Sequence, residues 1–89
     1  MDYIYRQQDT QVIIEEQRKQ LSDSLINELI QLRKELHMTQ QDVADRTGMK
    51  RANIARIEGK KYIPTLDVLM RYADSLGMQL DITVKRRDK

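Results

Sequence analysis

The most constraining feature of the sequence is the stretch 39–58, in which a glycine separates two short amphipathic segments. Thr39 can cap the first segment, and Asp42 stands three residues later, where the second member of a capping box belongs. Gly48 lies where a chain leaving a helix commonly needs positive φ, and Ala44 is small where two helices would approach each other. The stretch therefore predicts two helices that cross closely through a tight turn.

Two further helices are predicted, one on each side of this hairpin. Leucines and isoleucines recur at helical spacing over about 22–37, and Ser22 is a plausible N-cap for that helix. Another apolar stripe predicts a helix over about 65–76, followed by Gly77 as its C-cap glycine. We expect these residues, 22–77, to form one helical domain.

The N-terminal extension, residues 1–21, has a less definite pattern. We expect helix from about Thr10, although the apolar residues 12–14 would also suit a short strand. The same apolar residues would suit an extension of the core or a surface for a protein partner, and the sequence does not separate these two roles.

After Gly77 the apolar period changes from helical to alternating, which predicts a half-buried strand over residues 78–85. Its apolar positions are Leu80, Ile82 and Val84. A strand needs a partner for its backbone groups, and the candidates are residues 3–5, residues 11–14 or the same strand of a second copy. We favour antiparallel pairing with a second copy across a two-fold axis, followed by a frayed basic tail at 86–89.

The composition of the chain narrows the classes of function. The 89 residues suit one domain with a thin core, which would gain from dimerisation. Cysteine is absent and no apolar run is long enough to cross a membrane, so we expect a cytoplasmic protein. The sole histidine, His37, lies near a predicted helix end, and no phosphate loop or metal-spaced cluster occurs. We therefore expect no enzyme activity, no metal and no cofactor.

The charge of the chain is distributed unevenly, although its net value is only +2. One acid, Glu58, lies among six basic residues between positions 46 and 61: Arg46, Lys50, Arg51, Arg56, Lys60 and Lys61. Lys50 and Arg51 stand at a predicted helix N-terminus, where the helix dipole disfavours cations. A bound anion such as DNA phosphate would reverse that unfavourable field, so the pattern favours DNA binding over a purely structural hairpin.

The stretch from Thr39 to Leu80 resembles the phage Cro and repressor family, also called the XRE-type helix-turn-helix. The matching positions are Leu32-Arg33, Thr39-Gln40, Val43-Ala44, Gly48, Ile54, Ile57-Glu58, Pro64, Leu69, Ala73 and Leu76-Gly77. The resemblance implies a mainly α fold, a lambda-repressor-like bundle of four to five helices, here with a C-terminal β-strand that pairs across a dimer. One departure is Gly59, because the family's glycine usually stands one residue later.

The resemblance also implies roles for individual residues. The implied contacts with double-stranded DNA are made by Gln40, Lys50, Arg51, Ala52, Asn53, Arg56, Lys60 and Lys61. Gln40 would touch a phosphate, the arginines would grip guanine, and Ala52 would meet a thymine methyl group. Asn53 and the two loop lysines would hold the DNA backbone. Arg33 and Glu58 would form a structural ion pair.

The predicted C-terminal strand resembles the dimer-building tail of HigA-type and HipB-type antitoxins. This resemblance implies a homodimeric repressor that controls its own operon and neutralises a toxin protein. Two alternatives remain, a stand-alone repressor without a protein partner and a protein-only binding module. The basic hairpin helix disfavours the second alternative.

Overall fold

A computed structural model describes the backbone of residues 3–86 and the side chains from residue 9 onward. It contains four helices: α1 (Tyr3–Glu35), α2 (Gln40–Thr47), α3 (Arg51–Glu58) and α4 (Leu66–Ser75). Helix α2 packs against α3 and α4, and α1 packs across the same two helices. The predicted helical bundle is confirmed, with four helices. Residues 1–2 and 87–89, which belong to the predicted extension and basic tail, lie outside the described residues.

Helix α1 is one continuous helix of 33 residues. At 1.5 Å per residue it spans about 50 Å, which accounts for the longest dimension of the molecule, 53 Å. The predicted helix start at Ser22 is wrong, because Ser22 lies inside α1 and is buried. Side-chain pairs one turn apart support the helix before this point, from Gln11 to Glu15, and across it, from Lys19 to Asp23.

The hydrophobic core draws on all four helices and on the residue that ends α4. Its buried members are Ile26, Leu29, Val43, Ala44, Ile54, Ile57, Leu69, Tyr72, Ala73 and Leu76. Among residues 9–21 of α1, whose side chains the structure describes, none belongs to this core. Val12, Ile13, Ile14 and Leu21 are each between 46% and 66% exposed. The same helix is therefore packed in the bundle from Ser22 onward and largely exposed over residues 9–21.

The ends of the short helices follow the sequence signals. Thr39 and Asp42 form the predicted capping box of α2, with hydrogen bonds of 3.0 Å and 2.8 Å. Gly48 has the predicted positive φ, 77°, and Thr65 caps α4. Gly77, at φ 74°, closes α4 by a 6→1 bond from Met78 N–H to the Ala73 carbonyl. The predictions for Thr39, Asp42, Gly48 and Gly77 are confirmed.

The predicted strand over residues 78–85 is wrong for the single chain, because the described residues 78–86 have no regular secondary structure. Two of its three candidate partners, residues 3–5 and 11–14, are helical, so the alternating segment has no strand to bond with. Leu80 packs partly against the core, while Ile82 is 58% and Val84 99% exposed.

Helix α1 is long enough to cross a bilayer but too polar. Among residues 3–86, no helix combines the length and the apolar character that a membrane span requires.

Candidate nucleic-acid interface

The buried side of α3, which we call its inner face, consists of Ile54, Ile57 and Glu58. The two isoleucines are at most 1% exposed and belong to the core. Glu58 forms a bidentate ion pair with Arg33 of α1, with Nε–Oε2 and Nη2–Oε1 distances of 2.9 Å. These two side chains are 10% and 8% exposed, so the pair is largely shielded from water.

Two further side chains donate to the Glu58 carboxylate. Gln40 Nε2 lies 3.0 Å from Oε1, and the Tyr72 hydroxyl lies 2.5 Å from Oε2. Burial alone would raise the pKa of Glu58, but the hydrogen bonds from Arg33, Tyr72 and Gln40 outweigh it and lower that pKa. Burial raises the pKa of Tyr72, and its hydrogen bond to Glu58 raises it further. The network joins all four helices and fixes the orientation of α3.

The solvent side of α3 and its N-terminus, which we call the outer face, consists of Lys50, Arg51, Ala52, Asn53 and Arg56. All five residues are exposed. No described side chain caps the N-terminus of α3, where Lys50 occupies the N-cap position. The first amides of a helix have no carbonyl within the helix to bond with, so this end offers free donors beside two cations. The outer face therefore has the charge and the free donors of an anion-binding surface.

Gln40 lies between the two faces, at the start of α2. Its Nε2 donates to Glu58, and its Oε1 lies 3.5 Å from Arg51 Nη1, at the long limit of a hydrogen bond. Because the amide nitrogen carries two hydrogens, one remains available for a phosphate oxygen. Gln40 thus connects the buried ion pair to the cations of the outer face.

The loop after α3 turns its first lysine away from the outer face. Lys60 Nζ bonds Asn27 Oδ1 of α1, and the Lys60 carbonyl accepts from Lys19 Nζ at 2.7 Å. Lys60 has φ 58°, whereas Gly59 has an ordinary helical φ of −72°. The one-residue displacement of the glycine therefore leaves a lysine in the left-handed conformation. Lys61, in contrast, is exposed.

The structure brings together most of the residues expected at a DNA surface, but not all. The outer face gathers five of them on one short helix, Gln40 lies beside it, and Lys61 follows it in the loop. Lys60 instead faces α1. Leu80, Ile82 and Val84, expected at a dimer interface, lie on the irregular C-terminal segment.

Two residues that the sequence patterns do not single out are central to this arrangement. Tyr72 completes the Glu58 network, although it falls on the apolar stripe of α4 between Leu69 and Leu76. That spacing indicates burial but not the hydroxyl's partner. Lys19 secures the loop after α3 from 41 positions away, a contact for which no local sequence signal exists.

Comparison with known proteins gives two matches. Residues 29–82, more than half of the chain, match the family model described as helix-turn-helix. A segment of 47 residues is 40% identical to an uncharacterized HTH-type transcriptional regulator of Methanothermobacter thermautotrophicus, covering 53% of this chain and 68% of that protein. No solved structure matches the chain. On the strength of the family match and of the α2–α3 hairpin, the chain belongs to the helix-turn-helix family.

Proposed function

We propose that the protein is a sequence-specific, double-stranded DNA-binding transcriptional repressor. The observation that carries the proposal is the difference between the two faces of α3. The inner face is held in the bundle by the hydrogen bonds of Glu58, whereas the outer face has solvent-exposed cations at a helix N-terminus without a side-chain cap. The helix-turn-helix family and the name of the Methanothermobacter relative, a transcriptional regulator, support this function.

In this proposal α3 enters the major groove with its outer face toward the bases. Arg51 and Arg56 reach guanine O6 and N7, and Ala52 meets a thymine methyl group. Lys50, Asn53, Lys61 and the free N–H of Gln40 contact the phosphates and fix the register. Lys60 is held by Asn27 in the free protein, so its phosphate contact would require that hydrogen bond to break.

We propose further that the repressor is a homodimer formed through Leu80, Ile82 and Val84. The alternation of these residues, the exposure of Ile82 and Val84, and the absence of a partner strand within residues 3–86 support pairing with a second copy. Two copies would read a palindrome with half-sites about 34 to 36 Å apart. Ile82→Asp should give a monomer by sedimentation, with much weaker operator binding. A tight dimer of this variant would reject the pairing.

The exposed apolar residues of α1 support a second role, that of an antitoxin. Val12, Ile13, Ile14 and Leu21 are solvent-exposed on a helix that projects from the bundle, and a toxin protein would cover them. The product of a neighbouring gene, expressed together with this chain, should then remain bound to it through chromatography. If no neighbouring product co-purifies, the protein is a stand-alone repressor.

DNA binding is tested with the wild-type protein and the double variant Arg51→Ala/Arg56→Ala. Random duplexes are selected for binding, and the affinity for the best site is measured over a range of salt concentrations. We expect the wild-type affinity to fall steeply with salt as counterions are released, and the double variant to lose specific binding while keeping its thermal stability. Full operator affinity in the double variant would contradict the proposed function.

A further inference from the structure

Tyr62 lies directly against one cation of the outer face, Arg56. The Arg56 Cζ atom lies over the tyrosine ring, 4.9 Å from its centroid, which is within the range of a cation–π contact. Tyr62 is 37% exposed and Arg56 is exposed, so this contact is at the surface and not in the core. It is therefore formed where a DNA groove would meet the helix.

The loop that carries Tyr62 is fixed from the opposite side. Lys19 donates to the Lys60 carbonyl at 2.7 Å, and Lys60 in turn donates to Asn27. Gly59 N–H bonds the Ala55 carbonyl at 3.0 Å, which joins the loop to the last turn of α3. The backbone at Gly59 and Lys60, two to three residues before Tyr62, is therefore held by both α1 and α3.

The cation–π contact takes up none of the hydrogen bonds of Arg56. The guanidinium has five N–H donors, which stay available for other partners. None of the side-chain hydrogen bonds among residues 9–86 uses the Arg56 guanidinium. Bidentate contact with guanine O6 and N7 needs two of those donors, so the contact with Tyr62 and base recognition can occur together.

We propose that Tyr62 is a positioning residue for DNA recognition, which holds the Arg56 guanidinium in the orientation that meets a base edge. The inference rests on the proposed DNA-binding function and adds a residue outside the helix-turn-helix hairpin to it. A flexible arginine loses side-chain freedom when it binds, and a ring that restricts it beforehand reduces that loss. The effect of Tyr62 is thus exerted through Arg56 alone.

The test is a double-mutant cycle on the selected operator, with Tyr62→Phe, Tyr62→Leu and Arg56→Ala in the full chain. Tyr62→Leu should weaken operator binding about two- to fivefold, in line with an exposed cation–π contact. Tyr62→Phe keeps the ring and should retain the wild-type affinity. In the Arg56→Ala background, Tyr62→Leu should change nothing further.

A matched control is Lys61→Ala, which removes the neighbouring exposed charge. It should weaken binding to operator and random duplex alike, whereas Tyr62→Leu should reduce only the operator's advantage over random duplex. If Tyr62→Leu weakens binding equally with and without Arg56, the inference is overturned. If Tyr62→Phe is as weak as Tyr62→Leu, the hydroxyl contacts DNA itself and the inference is equally overturned.

A measurement without DNA checks the contact separately. The Arg56 side-chain Nε–Hε resonance should be shifted by the tyrosine ring in the wild type and in Tyr62→Phe, and should move to an ordinary position in Tyr62→Leu. Loss of operator binding in Arg56→Ala with no effect of Tyr62→Leu would refute only the role of Tyr62. No effect of Arg51→Ala/Arg56→Ala on operator binding would refute the proposed function itself.

Discussion

The inner and outer faces of α3 differ in how their polar groups are satisfied. On the inner face the Glu58 carboxylate accepts four hydrogen bonds from three side chains and is almost excluded from water. On the outer face the charges of Lys50, Arg51 and Arg56 are exposed, and two of these residues stand at a helix end that disfavours cations. Folding stability explains the first arrangement and not the second, so the outer face indicates a role beyond the fold.

The largest expected effect is on the inner face. Glu58→Ala would leave the buried Arg33 guanidinium without its partner, and removing one member of a buried pair costs about 3 to 5 kcal/mol. We expect the free energy of unfolding, measured by denaturant titration, to fall by that amount. The matched control is Asp67→Ala, which breaks an exposed pair with Arg71 at 2.8 Å and should change the stability far less. Equal decreases in the free energy of unfolding of the two variants would show that the buried Glu58 network stabilises the fold no more than an exposed ion pair does.

Substitutions on the outer face should weaken DNA binding and leave the stability of the fold nearly unchanged. Arg51→Ala should weaken operator binding by about 1 to 3 kcal/mol if the side chain reads a base, while the free energy of unfolding stays within about 0.5 kcal/mol of the wild type. Lys34→Ala removes the same charge from an exposed site on α1 and is the control for net charge. If Lys34→Ala weakens operator binding as much as Arg51→Ala does, the outer face is not the specific surface.

The two glycines that flank α3 provide a smaller contrast. Gly48 has φ 77°, and no described atom lies within 4 Å of a Cβ built there, so Gly48→Ala tests backbone strain alone. We expect a loss of about 1 kcal/mol or somewhat more. Gly59 has φ −72°, and a Cβ built there would lie 3.5 Å from the Ala55 and Arg56 carbonyl oxygens, an ordinary contact distance. Gly59→Ala should therefore be neutral or stabilising by up to about 1 kcal/mol. Thermal melts of both variants decide, and a destabilised Gly59→Ala would contradict the assignment of the left-handed position to Lys60.

The pH dependence of stability should reflect the inner face and the α2 cap. The pKa of Glu58 lies below its ordinary value of 4.5, and a hydrogen bond from the Thr39 backbone lowers the pKa of Asp42 below 3.8. Between the ordinary and the lowered pKa values the unfolded chain binds more protons than the folded one. The stability that these two carboxylates contribute is therefore complete above the ordinary values and is lost as the pH falls through the folded-state values. Asp42→Asn should show a shallower loss in acid titrations followed by circular dichroism. A stability that is flat down to the folded-state pKa values would contradict this.

Much of the fold is predictable from the sequence because its signals are local. Thr39 with Asp42 and Gly48 act within one or two turns, and those predictions are confirmed. The continuity of α1 is not predictable in this way, because Ser22 carries a capping signal that the surrounding helix overrides. The predicted strand is not formed in the single chain, because alternation indicates only which residues share a face, whereas a strand also requires a partner.

The candidate site also has some features that the sequence indicates and others that only the three-dimensional structure shows. The resemblance to the XRE-type helix-turn-helix implies that Lys50, Arg51 and Arg56 face outward together, and the structure exposes all three. The hydrogen bonds of Tyr72 with Glu58 and of Lys19 with the Lys60 carbonyl join residues 14 and 41 positions apart. No local pattern specifies such contacts, so they are found only in three dimensions.

The most direct test is an amide chemical-shift titration of the labelled protein with its selected operator duplex. We predict the largest shifts along residues 50–56, with smaller ones at Gln40 and at residues 61–62, while the buried amides of Ile54 and Ile57 keep their slow hydrogen exchange. Shifts confined to residues 12–21 of α1, with the outer face of α3 unaffected, would contradict the account.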